Sequence, residues 1–321
     1  MKAIVLLSGG LDSGLAAKII QKQGIALRGV TFKSYFFDVS EAAQKQANEL
    51  GIPLTVVDIS QEQLGLVKEP HYGYGAGMNP CIDCHALMLK IAKELARKEG
   101  ASFLITGDVL GQRPMSQNKR AIMVIDREVG IEGLVLRPLS AKLLPVTIAE
   151  KNGWVDRKKL FSIQGKSRKK QLELSKKFGL REHTTPAGGC LLTDPNFSQR
   201  LKDLLAKVKS PSSSDLALLK LGRHFWQKDV LIVVGRNEKE NKEIQKLSRK
   251  GDVIVELKDI PGPTTLVRSW REKIRKANTE KAKKLTKYYS VKARKERIGV
   301  IWEIRVIEER KEHLTNVEKR L

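Results

Sequence analysis

The chain has three cysteines, and two of them stand at a two-residue spacing in "NPCIDCH" (residues 79–85), with the third in "GGCL" at Cys190. Cys81, Cys84 and Cys190 are soft metal donors and, once deprotonated, nucleophiles, so the pattern admits more than one chemistry. A structural zinc would take a fourth ligand, which His85 or His183 could supply. An iron–sulfur cluster on three cysteines would leave one iron open, a place where a sulfur-transfer enzyme could bind sulfur. An odd count disfavours a structural disulfide. Cys84 is expected to open a helix, "CHALMLKIAKEL", whose dipole would favour its thiolate. Cys81 is expected one turn earlier, in a loop behind Pro80, and the flexible "PAGG" could bring Cys190 to the other two.

A second constellation lies at the start. In "LLSGGLDSG", Gly9 and Gly10 let the backbone turn tightly against an anion, and Ser8 and Ser13 add hydroxyl donors. Asp12 is repelled by a phosphate unless a cation lies between, which implies Mg²⁺. The G-x-x-x-x-G-K-[ST] pattern of a γ-phosphate transfer loop is absent. A third stretch, "TGDVLGQRPMSQ" (residues 106–117), is unusually polar for one loop. It carries Asp108, Gln112, Arg113, Ser116 and Gln117, and Arg113 could hold a phosphate or a substrate oxygen.

Regular elements must position these residues. "AIVLL" is a short apolar run and predicts a buried strand. The helical pattern "GLAAKIIQKQG" follows, then strand "ALRGVTF". Next come a helix "SEAAQKQANELG" with a Ser40 cap and a Gly51 stop, strand "PLTVVDI", the cysteine helix, and strand "SFLITGDV". Strands separated by helices of a dozen residues describe an α/β fold, a doubly wound parallel sheet. Beyond about residue 140 the chain turns helical and basic, most densely in "GKSRKKQLELSKKFG". "KSPSSSD" (209–215) has linker composition. The strand-like "DVLIVVG" and "DVIVEL", divided by the polar helical "NEKENKEIQKLSRKG", then form a smaller C-terminal α+β unit. The expected division is residues 1–195, a linker over 196–213, and a basic unit over 214–321.

These residues carry resemblances. Ser8-Gly9-Gly10-Leu11-Asp12-Ser13 resembles the PP-loop of the ATP pyrophosphatase superfamily, whose members split ATP between the α and β phosphates to adenylate a substrate. "MNPCIDC" is similar to the N-P-D-x-x-C motif of the bacterial tRNA 2-thiouridine synthetases, and "GGCL" to their second cysteine motif. Cys84 and Cys190 match that family's catalytic pair, of which one carries a persulfide and the other releases the sulfur. Cys81 stands where that family has an Asp, its proposed acid/base. Three cysteines spaced this way resemble the tRNA thiolases that hold a 4Fe–4S cluster on three cysteines. "TGDVLGQRPMSQ" with "LRPLSAKLLP" resembles PP-loop thiolases related to 4-thiouridine synthetases. "LGRHFW", "VVGRNEKEN" and "PGPTTLV" resemble the RNA-binding domain of the NFACT family.

The resemblances imply an adenine nucleotide alpha hydrolase-like domain that adenylates a uridine carbonyl oxygen of tRNA and replaces it with sulfur. They place ATP on Ser8, Gly9, Gly10, Asp12, Ser13, Asp108 and Arg113, with Mg²⁺, and a 4Fe–4S cluster on catalytic Cys81, Cys84 and Cys190. Zinc, or no metal and a persulfide, are the alternatives. The product they imply is 4-thiouridine, against 2-thiouridine by the persulfide route. The sulfur donor would be sulfide or a persulfide-carrying protein. An amide-forming PP-loop ligase would need no cysteine, and a non-catalytic RNA-binding module would consume no ATP. The chain starts at the PP-loop strand, so the N-terminal RNA-capture domain common in 4-thiouridine synthetases is expected to be missing and the basic C-terminal unit to replace it.

Charge agrees with such a partner. Lys and Arg number 60 against 36 Asp and Glu, a net +24 that exceeds what solubility needs and points to a polyanion. Lys–Glu surface pairing, as in heat-adapted proteins, would raise both signs together. In the C-terminal unit, Arg223, His224, Arg236 and Asn237 could touch phosphate, while Phe225 and Trp226 could stack on a base or fill a core. No secretory signal and no run of roughly 18 apolar residues are visible, so a soluble, cytoplasmic protein without a membrane partner is expected.

Overall fold

The computed structural model describes residues 1–181, 189–271, 273–295 and 300–308, in two compact units, Met1–Ser198 and Gln199–Leu321. In the first, β1 (Lys2–Leu6), α1 (Leu11–Gln21), β2 (Ala26–Ser34), β3 (Phe37–Asp38), α2 (Ser40–Leu50), β4 (Leu54–Asp58) and α3 (Ser60–Lys68) precede the cysteine helix α4 (Cys81–Lys98). Then come β5 (Phe103–Ile105), α5 (Lys119–Val129), β6 (Val135–Leu136), α6 (Ile148–Lys151) and α7 (Lys169–Phe178). β1 is central: Ala3 pairs in parallel with Leu27 of β2 and with Phe103 of β5. β4 continues the parallel sheet beyond β2, β6 continues it beyond β5, and β3 folds back antiparallel on the end of β2.

Both sheet faces are covered, which is why β1 reads as a continuous apolar run rather than an alternating one. Ala3 and Val5 point to one core, filled by Leu15, Ile19 and Ile20 of α1 and Ala43, Ala47 and Leu50 of α2. Ile4 points to the other, with Ala86, Leu89 and Ala92 of α4 and Ile125 of α5. Gly51 ends α2 in the left-handed conformation (φ 65°), as its position in the sequence predicts. The expected Ser40 cap is replaced: Ser40 is already helical, and Asp38 Oδ1 accepts from its backbone N–H at 3.0 Å. The chain runs from β1 to β2 on one side of the sheet centre, while β5 lies on the other. The loops after β1 and β5 therefore part over a crevice at the strands' C-terminal ends, where such folds bind ligands.

The stretch expected as a linker is largely helical, with α8 (Pro195–Lys207) followed by α9 (Ser213–Leu218). Its serines have a capping role: Ser212 and Asp215 form a reciprocal capping box. The second unit continues with β7 (Arg223–Gln227), β8 (Val230–Val234), α10 (Glu238–Lys246), β9 (Val253–Leu257), β10 (Thr265–Ser269), α11 (Lys276–Tyr289), α12 (Val291–Lys295) and β11 (Trp302–Val306). The five strands form one antiparallel sheet, ordered β11-β9-β10-β8-β7. Alternation along β8 sends Ile232 to the face with Ala282 of α11 and Leu231 to the face with Ile244 of α10.

Arg268 of β10 is fully buried, paired with Asp252 at 2.6 Å and Asp215 at 3.0 Å, and it donates to the Leu247 carbonyl. Removing the guanidinium would leave two buried carboxylates short of their counter-charge. Arg268→Ala is expected to cost the second unit about 3–5 kcal/mol in urea unfolding followed by tryptophan fluorescence; a loss under about 1 kcal/mol would show that the pair is dispensable.

Candidate active site

The crevice holds a cavity of about 650 Å³, within the range of small-molecule sites. Its wall includes Ser8, Gly9, Gly10, Asp12 and Ser13, then Asp108, Gln112 and Arg113, and then Cys81, Cys84 and Cys190. The three motifs, separated by up to 182 positions in sequence, meet on one surface.

The turn from β1 to α1 is shaped by contacts too close for side chains. Gly9 has φ 68°, and a Cβ there would lie 2.5 Å from Ala42 Cβ. A Cβ on Gly107, just after β5, would lie 2.5 Å from Ser13 N. The Ser13 hydroxyl accepts from Ser8 N at 3.2 Å and donates to the Gly10 carbonyl at 2.9 Å, so it braces the loop as well as lining it. Gln46 of α2 also donates to the Gly10 carbonyl. Asp12 Oδ2 accepts from Gln112 Nε2 at 2.7 Å and lies 3.5 Å from Arg168. Asp12 Oδ1 is buried with no hydrogen-bond partner. An orphaned carboxylate oxygen beside a phosphate-type loop fits a bound cation such as Mg²⁺.

Cys81, expected in a loop, is the first residue of α4, after Pro80 at the N-cap. The electrostatics reverse the expectation for Cys84. Burial alone would raise the Cys81 thiol, but His85, Ser116 and Arg113 together hold it below the ordinary thiol value. Cys84, a turn further in and buried, is pushed up to about 12, first by burial and then by Cys190 and Cys81. Gln63 of α3 donates to Cys84 Sγ at 3.2 Å. Cys190 is pushed up to about 11, mainly by burial, with Arg113 opposing. Burial favours neutral His85, yet Cys81 and Asp108 raise its pKa, so His85 and Cys81 favour each other's charge.

Asp108 lines the cavity, but its oxygens already serve Thr106, Gln117 and Arg137. Although burial pushes it up, Arg137 and His85 hold its carboxyl below the usual range. Arg137 is itself buried and bidentate on Asp126 at 2.7 and 2.9 Å. Asp108 thus anchors its loop from beneath. Sequence reasoning missed Gln46 and Gln63, which had no motif to mark them, and Arg168, which sits inside a basic run.

The donors fit a cluster in kind and in sharing one wall, and each thiol feels its neighbours' charge. Among the described residues, no three His, Cys, Asp or Glu are grouped to hold a single metal ion. His183 and most of "PAGG" lie outside the described residues.

In the second unit, three of the polar candidates serve the fold. His224 Nε2 donates to the Leu221 and Leu218 carbonyls, and burial lowers its pKa to about 4. Asn237 caps α10, and Arg236 pairs with Glu240. Phe225 and Trp226 pack against Tyr289 and Trp270, with ring centroids 6.0 and 5.7 Å apart, and belong to the two cores. Arg223 lies over the Tyr289 ring at 4.4 Å.

Residues 1–143 match the family model of ThiI, described as a thiamine biosynthesis protein, and residues 222–319 match the NFACT protein RNA binding domain. A probable tRNA sulfurtransferase of Acetivibrio thermocellus is 34% identical over 164 residues, 47% of this chain and 39% of that protein. A tRNA-specific 2-thiouridylase of Acidithiobacillus ferrooxidans is 39% identical over 118 residues, 33% of each. The chain spans between 32% and 40% of the length of these and similar curated relatives. A solved 4-thiouridine synthetase–RNA complex with bound ATP is 21% identical, covering 68% of this chain and 52% of that one, at a TM-score of 0.37. Among the described residues, no helix is long and apolar enough to cross a membrane.

The unequal thiols can be read directly. In metal-free protein near about pH 8, Cys81 is expected to react with iodoacetamide first and Cys84 last, because the thiolate is the reactive form. Peptide mass mapping over time would check this; Cys84 reacting ahead of Cys81 would overturn this ordering of the thiols.

Proposed function

From a chain whose residues 1–143 are of ThiI type and whose residues 222–319 are of NFACT RNA-binding type, we propose an ATP-dependent tRNA sulfurtransferase. One observation carries the reading: the phosphate-type loop and all three cysteines line the same cavity of about 650 Å³. An amide-forming ligase would have no use for thiols there.

The triphosphate would lie on the amides at the start of α1, where Gly9 and Gly10 leave the backbone open, with Ser8 beside it. Asp12 would hold Mg²⁺ through its unpaired oxygen, offsetting charge on the leaving pyrophosphate. The uridine carbonyl oxygen attacks the α-phosphorus and pyrophosphate departs, leaving the base activated with AMP. Sulfur then adds to the same carbon and AMP leaves. Arg113, which faces Cys81 and Cys190, would stabilise the negative charge that develops there. Cys81, Cys84 and Cys190 would hold a 4Fe–4S cluster, which when bound supplies an open iron for sulfide. A persulfide on a cysteine is the second reading, supported by the match of Cys84 and Cys190 to the cysteine pair of the 2-thiouridine synthetase motifs. The loop over residues 106–117 favours 4-thiouridine as the product, and the cysteine motif keeps 2-thiouridine as the alternative.

RNA recognition would fall to the second unit, which holds 32 Lys and Arg against 17 Asp and Glu, most of the chain's positive excess. The sulfur donor would be sulfide or a persulfide-carrying protein.

Cys84→Ser and Cys190→Ser are each expected to abolish the thiolated uridine in tRNA, read by nucleoside mass spectrometry in a deletion strain, while ATP binding persists. The same spectra separate 4-thiouridine from 2-thiouridine, and undiminished thiolation in either variant would defeat the proposal. Anaerobically purified protein should contain iron and labile sulfide; a colourless protein with one zinc would end the cluster reading. A chain ended at Ser210 should keep ATP turnover and lose tRNA affinity, whereas unchanged tRNA binding would remove the second unit's assigned role.

A further inference from the structure

The chain's densest basic stretch, residues 165–177, reads in sequence as one cationic strip. The structure divides it. Lys166, Ser167, Lys169 and Lys170 are exposed, whereas Arg168, at the N-cap of α7, has a side chain only 26% exposed and lines the cavity. Its guanidinium lies 3.5 Å from Asp12 Oδ2.

Several contacts fasten this segment to the site. Gln164 bridges to Leu110, and Gly165 N–H donates to the Leu110 carbonyl at 2.7 Å. Fully buried Gln171, in the first turn of α7, donates to Gln112 Oε1 at 3.2 Å, and Gln112 donates in turn to Asp12. Arg168 is thus strapped to the loop after β5 on one side and to the first turn of α1 on the other.

The Arg168–Asp12 contact is nevertheless weak. A one-pronged approach of 3.5 Å is far from the bidentate 2.7 and 2.9 Å that Arg137 makes with Asp126. A partly solvated, long contact gives up little when it breaks, and a guanidinium gains much more from phosphate oxygens. Asp12 restrains this arginine without satisfying it.

We infer that Arg168 is an anchor for the β and γ phosphates of the nucleotide, an inference that rests on the reading that this cavity takes ATP. Asp12 holds the guanidinium beside the first turn of α1. When the triphosphate arrives, Arg168 exchanges the carboxylate for phosphate oxygens and leaves Asp12 free. A cation beside Asp12 faces polyphosphate rather than base, so Arg168 separates ATP from AMP. The exposed lysines around it have no part in this.

Equilibrium binding of ATP and of AMP to the full-length protein in EDTA tests the inference, using Arg168→Ala, Arg168→Lys and the double variant Asp12→Asn/Arg168→Ala. Arg168→Ala should weaken ATP about 10- to 100-fold and AMP less than about twofold, with Arg168→Lys in between and no recovery in the double variant. An equal loss for ATP and AMP would reduce Arg168 to a structural support of α7. Full recovery of ATP binding in the double variant would reduce it to a neutraliser of Asp12. Either result overturns the inference while the nucleotide reading stands. Wild-type protein that binds neither nucleotide in EDTA nor with Mg²⁺ restored would instead overturn the reading beneath it, and that arm alone reports on it.

Discussion

Where the chain leaves β5, Gly107 lies so close to the start of α1 that a side chain there would stand 2.5 Å from Ser13 N and 2.6 Å from the Asp12 carbonyl carbon. Gly9 meets α2 just as closely on its other side. With no side chain on either glycine, the loop after β1 packs directly against α2, and the loop after β5 packs directly against the start of α1. The strand order makes this possible, since the loops after β1 and β5 leave the sheet at adjacent strand ends. Residues 108–117 can then reach across: Gln112 to Asp12, Arg113 toward two of the thiols, and Asp108 down to a buried arginine.

Three cysteines on one wall are not three equivalent groups. Water reaches Cys81 and cationic neighbours surround it, so charge there is stabilised. Cys84, a turn deeper, loses more solvation than a helix terminus returns, and its main compensation is a single amide from Gln63. Ligation by metal would level these differences because it deprotonates every thiol it binds. Without metal, the wall is graded from a thiolate-prone sulfur to sulfurs kept neutral.

Much of the organisation was legible along the chain. Strand and helix periods, the glycine stop of α2, the doubly wound sheet and the phosphate-type loop all follow from local pattern, because apolar spacing and backbone freedom are properties of a few neighbouring residues. The second unit was legible as mixed α and β, and its aromatics pack in its cores. Elsewhere the local reading left out what the fold adds. Ser40 lost its capping place to Asp38, two residues earlier. "KSPSSSD" has linker composition, yet its serine and aspartate close a capping box. His224 and Asn237 look like RNA contacts in a basic stretch, but the carbonyls and the helix end they satisfy are visible only in three dimensions.

Residue types and spacings by themselves determined which chemistries were open: a loop for phosphate, soft donors for metal or sulfur, and a positive excess for a polyanion. They could not determine the charge state of any thiol, which depends on how much water each loses and which distant groups stand beside it. Nor could they tell that one arginine of a basic run turns inward while its neighbours face solvent. Both were decided when the sheet brought residues 12, 81, 112, 168 and 190 to one cavity, since desolvation and Coulomb attraction act through space and take no account of separation along the chain.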